Sequence, residues 1–204
     1  LLNTVILKSF LLKTNINYPM NENIYETAFN EALKAHGLTL IGDIRNYYTL
    51  QRGDDKKDLI LVKLVLPALV DNLKHGSHNC NELKTICRYE FPFPVWEQVV
   101  DYYVFAFTNT ETNGVEFINI NEYDFRRRID NMNKRAKHKK KLKLVFWLMP
   151  DGCLYETSNI SVEGEWFWLS KGVNGRMADG ESNDFTQFLN NWDALALDLD
   201  KENR

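Results

Sequence analysis

An α+β domain, one mixed β-sheet flanked by helices, is the fold class that this chain of 204 residues predicts. Three observations lead there. Apolar residues recur at helical spacing near both ends and once in the middle, while short runs rich in β-branched and aromatic residues lie between them. No internal repeat or Pro/Gly-rich linker divides the chain. The 44% hydrophobic content is enough for one sizeable core over residues 1–204.

The elements follow in order. Asn23 to His36 reads as a helix, with Ile24, Ala28, Phe29, Ala32 and Leu33 on one stripe and Gly37 as its stop. Leu38 to Leu50 alternates loosely as a strand, and Arg52 to Lys57 is a polar turn. Asp58 to Leu66 is a nearly continuous apolar run, a buried strand that Pro67 ends. A polar loop over 72–79 leads into a strand through Glu82-Leu83-Lys84 that closes near Phe91 to Pro94. Val99 to Phe107 and Val115 to Ile120 form a hairpin.

The second half continues the pattern. Glu122 to Lys141 reads as a basic helix with Phe125, Ile129 and Met132 inward. Leu142 to Met149 and Cys153 to Thr157 are strands around a Pro150-Asp151-Gly152 turn, and Trp166 to Leu169 is another. Asp184 to Leu197 closes as a helix with Phe185, Phe188, Leu189, Trp192 and Leu195 at core spacing. The tryptophans and their aromatic neighbours are assigned to the core rather than to base stacking.

Composition narrows the function classes. Three cysteines make no disulfide framework, and no run of about 18 apolar residues exists to span a membrane. Lys8 interrupts the apolar start and no small-residue cleavage site follows, so no signal peptide is expected and the expected location is cytoplasmic. Net charge is −3, yet Arg126 to Lys143 holds ten Lys/Arg against Asp130. Arg126, Arg127, Arg128, Lys134, Arg135, Lys137, Lys139 and Lys140 are therefore the candidate phosphate-binding residues.

The chemistry concentrates at Glu82-Leu83-Lys84. Residues two apart in a strand share a face, so a carboxylate and an amine stand together there. With a second carboxylate from Asp71 or Asp58, the pair could hold Mg²⁺, or Mn²⁺, while Lys84 steadies an attacking water. His75, His78, Cys80 and Cys87 are an alternative zinc set with non-standard spacing.

An acidic helix near the start, an aspartate in the next strand or loop, and then Glu82-Leu83-Lys84-Thr85 resemble the PD-(D/E)XK nuclease superfamily. That group includes type II restriction endonucleases and mismatch-repair nicking endonucleases, whose active strand often reads Glu-Leu-Lys-Thr. The resemblance covers about Asn23 to Phe107. It implies a restriction-endonuclease-like core over about 20–120, with Glu26 as accessory acid and Asp71 or Asp58 as motif aspartate. Glu82 and Lys84 would be its Glu-x-Lys pair. It further implies a Mg²⁺-dependent hydrolase of DNA in a restriction system, a homodimer with DNA-binding and dimer elements in 121–204. Neither aspartate follows a proline, a departure from the pattern. The alternative is a non-catalytic module that binds nucleic acid or a protein through 126–143.

Overall fold

The computed structural model describes residues 22–44, 46–54, 58–71, 85–92, 100–133, 141–149, 151–156 and 183–197. Helix α1 (Glu22–Ala35) precedes strands β1 (Leu38–Ile44), β2 (Tyr47–Arg52), β3 (Leu59–Val65), β4 (Leu69–Asp71), β5 (Thr85–Pro92), β6 (Tyr102–Thr108) and β7 (Val115–Asn121). Helix α2 (Glu122–Asn133), β8 (Lys141–Leu148), β9 (Leu154–Glu156), a 3₁₀ turn (Thr186–Phe188) and the short α3 (Asp193–Ala196) follow. This is the expected α+β content.

Strand pairing differs from the single expected sheet. A five-stranded sheet has the order β1-β2-β3-β6-β7, and a four-stranded sheet the order β4-β5-β8-β9. Within the first, β3 and β6 run parallel and the other pairs antiparallel, so it is mixed; the second is antiparallel throughout. The chain leaves the first sheet after β3, crosses to build β4 and β5, and returns at β6.

Alternation along β6 shows why both faces of the first sheet are covered. Val104 and Ala106 face one layer with Tyr25, Phe29 and Leu33 of α1, whereas Tyr103, Phe105 and Phe107 face the other with Tyr89, Phe146 and α2's Phe125 and Ile129. A strand buried on both faces has no polar alternation, which is why the sequence there is continuously apolar. The result is three layers. The layer of α1 and α3 lies on one side, the first sheet in the middle, and the second sheet with α2 and the 3₁₀ turn on the other side.

Local chemistry sets the helix limits. Tyr25, Phe29 and Leu33 of α1 lie four apart and are all buried, each contributing about 1.5–3 kcal/mol by transfer from water. Gly37, at φ 69°, ends α1 in the left-handed conformation that glycine adopts without strain. Asn121 caps α2: its Oδ1 accepts from the Asp124 N–H at 2.7 Å while its Nδ2 donates to the Asp124 carboxylate at 3.0 Å.

Three expected elements change shape. The expected strand over 38–50 is a hairpin, because Asn46 takes φ 66° and turns the chain between β1 and β2. Helix α2 ends at Asn133, short of the expected Lys141, which already belongs to β8. Leu142, Leu144 and Phe146 pack into the core at strand period there, and that burial outweighs helix propensity. The expected helix over 184–197 is instead a 3₁₀ turn and a single α-turn. Asn190, at φ 50°, breaks it, accepting the Phe117 N–H on its Oδ1 at 2.9 Å while its own N–H bonds the Phe117 carbonyl at 2.7 Å. Pairing with the edge of β7 wins over the helical periodicity. The 72–79 loop and the Trp166 to Leu169 strand lie outside the described residues.

Among the described residues, Asn119 is a buried side chain with neither polar atom, Nδ2 or Oδ1, partnered. It lies in β7 opposite Val104 and is 0% exposed. Asn119→Leu is expected to raise stability by about 1–3 kcal/mol, the desolvation penalty recovered. The check is a higher urea midpoint with unchanged slope.

Candidate functional site

Glu82 and Lys84 lie outside the described residues, as do His75, His78 and Cys80; the strand they lead into is described from its first residue. Thr85 opens β5 and is 1% exposed. Its Oγ1 accepts the Thr110 N–H at 2.8 Å and meets the Thr110 hydroxyl at 3.2 Å. The β6–β7 connection that carries Thr110 is itself braced by Asn109, whose Oδ1 accepts from the Glu111 N–H at 2.9 Å and whose Nδ2 bonds the Glu116 carboxylate. The residue after Lys84 is thus pinned between the two sheets.

Asp71 is the last residue of β4, the strand hydrogen-bonded to β5, and stands opposite Ile86. An aspartate on one strand and the exit of Glu-x-Lys on its neighbour are therefore adjacent in register.

Asp58 stands elsewhere. Its carboxylate lies 3.8 Å from a guanidinium nitrogen of Arg52, whose side chain is 8% exposed. Arg52 also donates to the Leu195 carbonyl and lies over the Tyr102 ring at 5.9 Å. Asp58 thereby helps fasten the C-terminal segment to the first sheet. Glu26 is half-buried on α1, near the other end of β2: together with burial, its charge and that of Asp43 push the Tyr48 phenol up to about 12. Tyr48 and Arg52 are four residues apart along β2, roughly 13 Å at strand rise. Glu26 and Asp58 thus border opposite ends of one strand of the first sheet, and Asp71 belongs to the second sheet. Among the described residues no three His, Cys, Asp or Glu side chains gather as a cation cage.

The zinc alternative meets an obstacle at Cys87. This thiol is 1% exposed within the interlayer core, donates weakly to the Phe146 carbonyl at 3.8 Å, and is pushed up to about 12, chiefly by burial. A zinc ligand must be a thiolate, which this apolar setting disfavours.

The basic segment is divided. Arg126 and Arg127 are exposed on α2, and each pairs within the helix, Arg126 with Glu122 and Arg127 with Asp124 at 3.2 Å. Exposed pairs of this kind are worth about 0–1 kcal/mol, so a phosphate can replace the carboxylate. Arg128 differs from its neighbours: at 6% exposure it stacks near Phe185 and Phe188, 5.0 and 4.9 Å from their centroids, and donates to the Asp184 carbonyl at 2.8 Å. It ties α2 to the 3₁₀ segment and does not belong to an exposed basic face. The helical period explains the split, since Arg128 is three residues after Phe125 and next to Ile129, on the inward side. Lys134, Arg135, Lys137, Lys139 and Lys140 lie outside the described residues.

A polar row that the sequence reading passed over crosses the first sheet on its α2 side. Tyr47, Lys63 and Tyr103 stand side by side on β2, β3 and β6, and Lys63 Nζ donates to the Tyr47 hydroxyl at 2.9 Å. Burial first, then the nearby charges of Glu122 and Tyr47, push the Tyr103 phenol up to about 12, with Arg126 opposing. The row offers phenolic and cationic donors suited to an anionic oxygen. Its signal in the sequence is a lone lysine inside the apolar run Leu59-Ile60-Leu61-Val62-Lys63-Leu64-Val65.

Among the described residues no helix is long and apolar enough to cross a membrane. Comparison with known protein families, characterised proteins and solved structures gives no match.

Proposed function

We propose that the chain is a metal-dependent endonuclease that hydrolyses phosphodiester bonds of DNA, with Asp71, Glu82 and Lys84 at its centre. The observation that carries this reading is the pairing of β4 with β5, which sets Asp71 beside the strand that Glu82-Leu83-Lys84 enters. The engagement of Asp58 with Arg52 favours Asp71 over Asp58 as the second carboxylate. Two carboxylates without imidazole or thiolate suit a hard cation such as Mg²⁺, with Mn²⁺ as its substitute. Such an ion would polarise the scissile phosphate and lower the pKa of a bound water. Lys84 would donate to the attacking water and to the charge that develops on phosphorus-bound oxygens. Arg126, Arg127 and the lysines that follow would hold the DNA backbone, and two copies would cut two strands.

The test is incubation with supercoiled plasmid and single-stranded DNA in Mg²⁺, Mn²⁺ or EDTA. Nicking or linearisation is expected with either ion and none with EDTA; intact plasmid under all conditions removes the proposal. Asp71→Asn is expected to abolish cutting. Asp58→Asn should cut normally while losing roughly 1–2 kcal/mol of stability, between the values of exposed and buried pairs.

A second reading draws on the basic segment, where Arg126 and Arg127 are exposed on α2. In it the protein binds nucleic acid through 126–143 without cleaving. Binding would then fall steeply with salt and be indifferent to EDTA, and neutralising Lys134, Lys137, Lys139 and Lys140 together would flatten the salt slope.

A further inference from the structure

One tyrosine stands apart from the rest. Tyr25, Tyr48, Tyr89, Tyr103 and Tyr155 are buried, and the half-buried Tyr47 and Tyr102 have bonded hydroxyls, to Lys63 and to the Ala194 carbonyl. Tyr123, in the first turn of α2, is 72% exposed, and among the described residues no hydrogen bond or ring contact engages it. Phe125, Arg128 and Ile129 take the buried side of α2, so the exposed side offers Tyr123, Arg126, Arg127 and Asp130.

Arg126 and Arg127 stand three and four residues after Tyr123, one on each side of the line that runs along the helix through it. Their ion pairs show where the guanidinium groups go: to Glu122 and Asp124, the residues that bracket Tyr123 in the chain. Helical side chains lean toward the N-terminus, which brings both cations back toward the ring. Exposed pairs of this kind exchange a carboxylate for a phosphate at little cost. Glu122 and Asp124 balance the two arginines, so α2 alone is a weak attractor of anions. The attraction comes from the seven Lys/Arg, with no acid among them, that the sequence places in 134–143 directly after α2. What Tyr123 adds is a choice of form, because a base offers its face only where it is unpaired and unstacked.

We propose that Tyr123, Arg126 and Arg127 form a platform for single-stranded DNA, on which one unpaired base stacks on the phenol ring while the guanidinium groups take the phosphates beside it. A duplex keeps its base faces inside the stack, so it meets only the arginines. An acidic peptide would pair with the same arginines and leave the ring uncovered. Base–aromatic stacking tolerates any sequence, so the platform distinguishes strand form and not sequence. The inference rests on the reading that residues 126–143 hold DNA, and it does not depend on cleavage.

Fluorescence anisotropy in EDTA and low salt tests it on the full chain, with a labelled oligothymidylate, the same strand annealed to oligoadenylate, and an oligouridylate. The ratio of single-strand to duplex affinity should fall about 5- to 100-fold in Tyr123→Ala, the range for one stacked base. The urea midpoint should stay native, because the ring is exposed. Tyr123→Trp should keep the native ratio. Arg126→Gln together with Arg127→Gln should flatten the salt slope of single-strand binding by about one. An unchanged ratio in Tyr123→Ala, or an unchanged slope in the double variant, overturns the platform and leaves the basic segment standing. A preference for oligouridylate, or displacement of the oligothymidylate by polyglutamate at equal charge, overturns DNA as its occupant. No binding of any strand at low salt overturns the platform and the DNA reading together.

Discussion

Phe105→Ala is expected to lower the stability of the fold by about 3–5 kcal/mol, at the upper end for a buried aromatic. Phe105 sits mid-strand in β6, 0% exposed, where all three structures on that side meet. Its ring lies 5.1 Å from that of Tyr89 on β5, 5.8 Å from Phe146 on β8 and 5.4 Å from Phe125 on α2, the first and second in edge-on geometry. Alanine would leave a void walled by two hydrogen-bonded sheets and a capped helix. None of these can move inward without breaking its own pairing, so little of the cavity collapses. A domain is typically stable by about 5–15 kcal/mol, so the variant would lose roughly a fifth or more of its margin. Urea unfolding followed by tryptophan fluorescence reads this directly, since Trp147 on β8 and Trp192 are both buried in the native fold. Phe105→Leu should lose clearly less, since most of the volume stays. Equal losses would mean that ring geometry, rather than filled volume, holds the layers together.

The same residue shows how far the sequence reaches. The β6–β7 hairpin was legible because its strands are short apolar runs around a polar turn, and α1 because Phe29 and Leu33 recur at helical spacing. That Phe105 faces a second sheet was not legible. It depends on the parallel pairing of β3 with β6, residues about forty apart, and on an excursion through β4 and β5 that local periodicity does not encode. Lengths failed where tertiary pairing overrode a local pattern. The aromatic series from Phe185 to Trp192 has helical spacing, yet Asn190 spends its side chain and backbone on the edge of β7.

For the candidate site, the sequence supplied residue types and left partnership open. Asp58 and Asp71 were equivalent in one dimension. The ion pair with Arg52 and the register opposite Ile86 separate them in three. Arg128 shows the same limit, since a run of three arginines reads as one charged patch until the helix turns one of them inward.

Glu82→Ala and Lys84→Ala are each expected to reduce metal-dependent cutting by about 10²–10³-fold or more, the range for removing one group that stabilises developing charge. The two losses should differ in kind. Without Glu82 the cation loses a carboxylate, so the metal concentration for half-maximal rate should rise, and Glu82→Asp should restore part of the activity. Without Lys84 metal dependence should persist while the rate falls, and Lys84→Arg should rescue poorly because a planar guanidinium does not replace a compact ammonium. A loss of chemistry alone leaves urea midpoints equal to those of the native chain. DNA binding measured in EDTA should also persist, since it would rest on the cations of 126–143. Loss of binding together with cutting would instead place Glu82 and Lys84 in the folding of β5, whose first residue is fixed by Thr110. Normal cutting by both variants would leave the strand pairing of Asp71 as packing alone and assign the chemistry to other residues.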